Sequence, residues 1–352
     1  MSTQKIKIGI VFGGSSGEHN VSVKSAKNII RALSSGENIN NYELIYIYID
    51  RKGRWWDSKV AKEALEKGSE LKESELPSQN LLEGFHQLPD GSENVDIWYP
   101  VLHGPNGEDG SIQGLFKLMK KPFVGSRVLG SSLGMDKIAM KSAFTAAGLP
   151  QALYQSVKAD EIKQQDSLKL LLSRLEEKIN YPCFVKPANL GSSVGISKAK
   201  NRKQLLEGLK LAAEFDERIV IEKSVIAREL ECAVLGKKEL KTSLIGEIKH
   251  NSDWYDYQTK YLNNNSKTII PAVLPEDIAN SIYQLSLAAC EAISVEGIAR
   301  VDFFYDETNN KVLINEVNTL PGFTTKSMYP MLWEASGLNL EKLVAEIVKT
   351  AR

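Results

Sequence analysis

The stretch GIARVDFFYDETNNKVLINEVNTLPG, residues 297–322, decides how the rest of the chain is read. Two apolar runs, Ala299 to Tyr305 and Lys311 to Val317, flank the polar residues 306–310. Strand-forming runs separated by such a cluster predict a β-hairpin. Side chains alternate faces along a strand, so Arg300, Asp302 and Phe304 share one face. Glu316 and Asn318 share one face of the returning strand for the same reason. A turn centred near Asn309 sets Asp302 opposite Glu316 and Arg300 opposite Asn318. Facing carboxylates repel unless a cation or a proton intervenes. Oxygen ligands suit a hard cation, and Mg2+ is commonly held by a few carboxylates together with substrate phosphates. A solvated hairpin face is the other reading of the same letters.

Composition bounds what this hairpin belongs to. The chain has 352 residues, long for one hydrophobic core, which predicts two or three domains. Apolar residues make up 42% and charged residues 25%, as in ordinary soluble globular proteins. Lys plus Arg equals Asp plus Glu, 44 each, so no global field recruits nucleic acid or a membrane surface. The opening MSTQKIKIGIVFGG lacks a signal-peptide pattern, and no apolar run approaches the ~20 residues that span a bilayer. Cys183, Cys232 and Cys290 are far apart and never in a CxxC pair, which fits buried thiols in a reducing cytoplasm. The four histidines show no HExxH spacing.

Outward from the hairpin, the chain opens with a strand, KIKIGIVF, a glycine turn and a helical pattern, VSVKSAKNIIRAL. That order begins an α/β unit, although neither GxGxxG nor GxxxxGK[ST] occurs. Glu18, at the start of that helix, fits two readings: a charge complementing the helix dipole, or a carboxylate holding a substrate ammonium in a cleft. YELIYIYI, 42–49, is a second strand; residues 51–94 read as a polar surface insertion of little chemical content. A third strand ends at His103, before a glycine-rich loop from Gly104 to Gly110 and a helix. His103 there is either a packing residue or a ligand contact at the carboxyl end of a strand. KPFVG, 121–125, predicts a further strand, and SSLGMDKIAMKSAFTAAG a single helix with Lys137 near its start. The strand PCFVKP carries Lys186 and leads into NLGSSVG, a loop able to cover phosphates or simply to turn a hairpin. RIVIEKSV ends a strand at Glu222 and Lys223; such an edge suits adenine and ribose, or is only a strand end. Two more strands follow, then the irregular stretch 253–271, whose length predicts a functional lid. An amphipathic helix at 276–293 runs into the hairpin, and a C-terminal helix is expected to pack the third domain.

Taken in order, VFGGSSGEHNVS, LHGPNGEDGSIQG, MDKIAMK, FVKPANLGSSVG, VIEK, DYQTKYL, ARVDFF and INEVNTLPGFTTKS resemble the D-alanine–D-alanine ligase family of the ATP-grasp superfamily. The resemblance covers nearly the whole chain and is weakest across residues 51–94. It implies an α/β chain of the α+β ATP-grasp type, with an N-terminal substrate domain at 1–125, a central domain at 126–222 and a C-terminal domain at 223–352. It also implies ATP as co-substrate, two Mg2+ (or Mn2+) ions, D-alanine as substrate, a homodimer and a cytoplasmic setting. The reaction implied is ligation of two D-alanines through an acyl phosphate, which calls for cations and positioned donors rather than a protein nucleophile.

Residue by residue, the resemblance implies that Asp302, Glu316 and Asn318 hold the metal ions. Lys137, Lys186, Ser193 and Lys260 would serve the phosphates, and Glu222, Lys223, Val225, Glu229 and Phe304 the rest of the nucleotide. Glu18, with Ser192 and Tyr261, would hold the first substrate near His103 and tie the lid to the N-terminal domain. Arg300 would face the developing oxyanion, with Gly322 and Ser327 at the second substrate's carboxylate. Asn20 and Lys326 depart from the family's usual residues. Tyr261 argues for D-alanine, rather than D-lactate or D-serine, as acceptor. A nucleotide-binding protein without catalysis is the remaining alternative, and none of the expected catalytic positions is damaged.

Overall fold

The structure, a computed structural model, describes residues 4–78, 82–192, 194–250 and 266–351. The opening unit is a sheet in the order β3-β2-β1-β4. It is built from β1 (Ile6–Gly13), β2 (Tyr42–Ile49), β3 (Trp55–Trp56) and β4 (Ile97–Val101). β1 pairs in parallel with both β2 and β4, so strand carboxyl ends, and the loops carrying Glu18 and His103, gather at one edge. The helix His19–Leu33 covers this sheet, burying Val23, Ala26, Ile29 and Leu33 at the three- to four-residue spacing of one helical face.

A second sheet, in the order β5-β8-β6-β7, is wholly antiparallel. Its strands are β5 (Tyr154–Lys158), β6 (Cys183–Pro187), β7 (Ser197–Ala199) and β8 (Arg218–Lys223). The helices Gln165–Ile179 and Arg202–Ala213 supply its core through residues such as Leu172, Leu175, Leu205 and Leu209.

The third sheet runs β11-β10-β9-β12-β13. It consists of β9 (Arg228–Gly236), β10 (Leu240–His250), β11 (Ser266–Ile269), β12 (Gly297–Asp306) and β13 (Lys311–Asn318), with the helix Glu276–Ala292 packed on it. The hairpin β12–β13 pairs Asp302 with Glu316 and Arg300 with Asn318, as the sequence predicts. Nearer the turn the pairing shifts, with Phe303 opposite Ile314, so Asn315 is an extra residue, a β-bulge. Without it Asp302 would oppose Asn315, and Glu316 would face the other side.

Four expectations are corrected. Residues 51–72 are not a surface insertion: β3 extends the first sheet, and Trp56, Val60, Ala61, Ala64 and Leu65 are buried in its core. Arg54 is buried too, donating to Asp50 (2.6 Å) and to both oxygens of Glu73 (2.8 and 2.9 Å). The stretch 121–125 is no strand but a single bridge, Phe123 to Trp98. The helix around Lys137 is two helices, Val128–Met135 and Lys137–Ala146. Asp136 divides them, with extended backbone and a carboxylate that accepts from the amides of Ile138 and Ala139, an N-cap. Finally, the chain ends in two helices, Met328–Ala335 and Leu340–Thr350, not one. They share a core with the first sheet as well as the third, for Ile8, Ile10 and Phe12 lie in one cluster with Tyr329, Leu332, Val344 and Ile347. Asn38 seals the junction by donating to the Glu341 carbonyl at 2.9 Å.

Candidate active site

One cleft of about 1740 Å³ opens where the three sheets meet. It is lined by every sequence-predicted site residue that lies among the described ones. From the first sheet come Glu18 and His103; from the second, Lys186, Ser192, Glu222, Lys223 and Val225, with Lys137 from the helix beside it. The third sheet and its following loop contribute Glu229, Arg300, Asp302, Phe304, Glu316, Asn318, Gly322 and Ser327. Ser193, Lys260 and Tyr261, with most of the expected lid, lie outside the described residues.

At one end of the cleft, two lysines hold one carboxylate and a third stands nearby. Lys186 Nζ lies 2.7 Å from Glu222 Oε2, and Lys141 Nζ lies 3.2 Å from Oε1. Burial pushes the Glu222 carboxyl up, but Lys141 and Lys186 outweigh it and hold it down at about 2. Lys137 is buried and donates to the Leu190 carbonyl at 2.6 Å, and burial lowers its affinity for a proton. Lys223 donates to the Tyr181 carbonyl at 3.0 Å, so its side chain is turned along the strand edge.

On the hairpin, Arg300 reaches both oxygens of Asp302 at 2.7 Å and lies 2.9 Å from Glu231 Oε2. Asn318 Nδ2 donates to Asp302 Oδ2 at 3.0 Å. Among the described residues no group of three His, Cys, Asp or Glu is close enough to form a metal cluster. The donor set Asp302, Glu316 and Asn318 is nevertheless oxygen-rich and lines the same cleft as Lys137 and Lys186. Such a set fits a hard cation that completes its shell with phosphate oxygens and water.

At the other end, Ser192 donates to Glu18 Oε1. Ser192 takes a left-handed φ of 51°, unusual for a residue with a side chain, and this aims its hydroxyl across the cleft. Two glycines make room for the carboxylate: a Cβ on Gly191 would stand 2.9 Å from Glu18 Oε2, and one on Gly104 3.1 Å. His103 contacts the Leu320 carbonyl through Nδ1 at 3.2 Å and Ser25 Oγ through Nε2 at 3.3 Å. Burial lowers its pKa, so a neutral ring donating at Nδ1 and accepting at Nε2 satisfies both contacts. Both nitrogens are thereby used by the protein, which favours the packing reading of His103. Ser327 Oγ accepts from the Thr324 amide at 2.9 Å and stands 2.9 Å from the place a Gly322 Cβ would take.

Residues 7–126 match the family described as D-ala D-ala ligase N-terminus, and residues 143–349 match D-ala D-ala ligase C-terminus. The chain belongs to the D-alanine–D-alanine ligase family. A D-alanine–D-alanine ligase from Prochlorococcus marinus is 57% identical over 344 residues, covering 98% of each chain. One from Synechococcus sp. is 54% identical over 352 residues, with 100% of both chains covered. Among solved structures, the D-alanine–D-alanine ligase from Coxiella burnetii aligns with a TM-score of 0.78 and 33% identity, covering 99% of this chain and 94% of that one. The VanG D-Ala:D-Ser ligase from Enterococcus faecalis aligns at 0.81 and 31%, covering 99% and 100%.

Sequence reasoning about the ligase missed three features in and behind the cleft. One is Lys141, although it follows Lys137 by one helical turn and so shares its face. Another is Glu108, inside the glycine-rich loop. It accepts from the Gly104 amide at 2.6 Å, and burial together with the charge of Glu18 pushes its carboxyl up to about 8. The third is a clasp behind Glu18. Arg51 donates to the Ser16 carbonyl at 2.6 Å, and Asn20 Oδ1 accepts from the Glu70 amide at 2.8 Å. Asn20, a departure from the family's usual residue, therefore plays a structural role, tying the segment that carries Glu18 to residues 51–72.

Proposed function

We propose that this chain joins two D-alanine molecules into D-alanyl-D-alanine with conversion of ATP to ADP and phosphate, through an acyl phosphate. The observation that carries the reading is the convergence of lysines, hairpin carboxylates and Glu18 on one cleft, in a chain matched along its length by ligases of this name. A carboxylate oxygen of the first D-alanine attacks the γ-phosphorus of ATP and ADP departs. The amino group of the second D-alanine then attacks the acyl carbon; the C–O bond breaks, phosphate leaves and the amine gives up a proton.

In this reading Glu18, steadied by Ser192, holds the first substrate's ammonium. Lys137 and Lys186 hold phosphate oxygens, and Glu222, Lys223, Val225, Glu229 and Phe304 form the nucleoside pocket. Arg300 meets the oxyanion that forms at the acyl carbon. Gly322 and Ser327 receive the second substrate's carboxylate. Asp302, Glu316 and Asn318 would hold Mg2+, which when bound neutralises charge on the transferring phosphoryl group. Ser193, Lys260 and Tyr261 are proposed to close the site.

A three-domain division at 1–125, 126–222 and 223–352 belongs to the same proposal. Sheet membership supports it, with β1–β4, β5–β8 and β9–β13 forming separate sheets. The family resemblance supports a homodimer working in the cytoplasm on cell-wall peptidoglycan precursors. No helix among the described residues is long and apolar enough to cross a membrane.

The VanG relative supplies a second reading, with D-serine as acceptor. Its identity of 31% against 57% for a D-alanine ligase favours D-alanine. Competing D-alanine and D-serine for one pool of ATP and weighing the dipeptides decides between them. Labelling tests the intermediate. D-alanine carrying 18O in its carboxylate must deliver one labelled oxygen to the released phosphate, and unlabelled phosphate beside labelled dipeptide would rule out an acyl phosphate.

A further inference from the structure

We propose that Lys141 is a positioning residue for nucleotide binding, acting through Glu222 to release Lys186 to the phosphates. Lys141 is 1% exposed and does not line the cleft, so its ammonium is turned to the protein rather than to the cleft. Its ammonium lies 3.2 Å from Glu222 Oε1 and 5.6 Å from the centre of the Tyr154 ring. Lys186, which does line the cleft, holds the other oxygen of Glu222 at 2.7 Å. The inference rests on the nucleotide reading of this end of the cleft.

The charges explain the arrangement. For Lys186 to meet a phosphate, it must loosen its hold on Glu222. A buried carboxylate left without a cation is strongly disfavoured, so a lone Lys186–Glu222 pair would resist separation. Lys141 removes that obstacle, because Glu222 keeps a buried cation when Lys186 turns away. It also keeps Glu222 ionised, ready to accept hydrogen bonds from sugar hydroxyls. Lys137 forms no ion pair with Glu222, whose two oxygens are held by Lys141 and Lys186; its ammonium donates to the Leu190 carbonyl instead. Lys141 is thus a resident counter-charge, and Lys186 the mobile one.

The test uses the full-length chain with ATP in turnover and ADP in binding. Lys141→Met, which keeps the length and removes the charge, should raise the KM for ATP and the Kd for ADP about tenfold or more, with the KM for D-alanine unchanged. Lys141→Arg should recover most of the loss. In a Glu222→Gln background there is no carboxylate to strand, so adding Lys141→Met should change ADP binding by less than about twofold. That double variant also removes both buried charges, which keeps the comparison open if Lys141→Met alone does not fold. An unchanged KM for ATP in Lys141→Met, or an equal loss in both backgrounds, would overturn the proposal and leave Lys141 a packing residue. Lys186→Met separates the two levels of the argument. If it leaves ADP binding intact, the nucleotide reading itself fails; if it weakens binding while Lys141→Met does not, only the present inference fails.

Discussion

The two ends of the cleft shift a glutamate carboxyl in opposite directions. Glu222, buried between Lys141 and Lys186, has its carboxyl held at about 2. Glu108, beside the carboxylate of Glu18, is pushed up to about 8. Burial raises both, so burial does not decide the outcome; the partners supplied by other elements do. The cation-rich end suits a polyphosphate. The other end, where the carboxylate of Glu18 is turned to Ser192, suits the ammonium of a small amino acid.

The contrast can be broken from either side. The largest effect is expected at the cationic end: Lys186→Met should lower kcat/KM for ATP by about a hundredfold, because it removes the charge proposed to meet the transferring phosphoryl group. Steady-state kinetics at saturating D-alanine checks this, and a loss confined to the D-alanine KM would count against it. At the other end, Glu18→Gln should raise the KM for the first D-alanine by about tenfold or more, the worth of a charge-assisted contact, and leave ADP binding alone. A parallel loss of ADP affinity would show that the two ends are not separable.

The third prediction concerns the proton on Glu108. Its folded-state value lies above the ordinary 4.5, so the folded chain keeps a proton that the unfolded chain has lost. Its contribution to stability is therefore full below the ordinary value and is lost as pH rises through about 8. Glu108→Gln imitates the protonated form at every pH. Its Tm relative to the parent should climb between about pH 5 and pH 9 and level off above that range. A flat difference would mean that Glu108 is ionised throughout. The smallest effect belongs to the clasp. Arg51→Ala should raise the D-alanine KM only about threefold, the value of its hydrogen bond to the Ser16 carbonyl and its partly exposed ion pair with Glu70, with kcat unchanged.

What was legible in the sequence follows the same division between local and long-range causes. The hairpin could be read because alternation and a polar turn are local signals, and its cross-strand partners emerged correctly. The bulge at Asn315 that secures those partners has no such signal. The Asp136 cap was readable, since an Asp before a helical run is an N-cap pattern, yet the run of helix formers on both sides hid the break. Residues 51–72 looked like surface because their charges outnumber their apolar residues. Only the sheet edge and the Arg54–Asp50–Glu73 network show where those charges go. The charge states of Glu108 and Glu222 lay beyond sequence altogether, since each is set by residues from separate elements.

The most direct test of the whole account is ADP release by the purified chain with ATP, Mg2+ and D-alanine, measured against L-alanine and against no amino acid. The account predicts release with D-alanine alone, matched mole for mole by D-alanyl-D-alanine. Release that ignores the amino acid, or none in any mixture while ATP still binds, would contradict it.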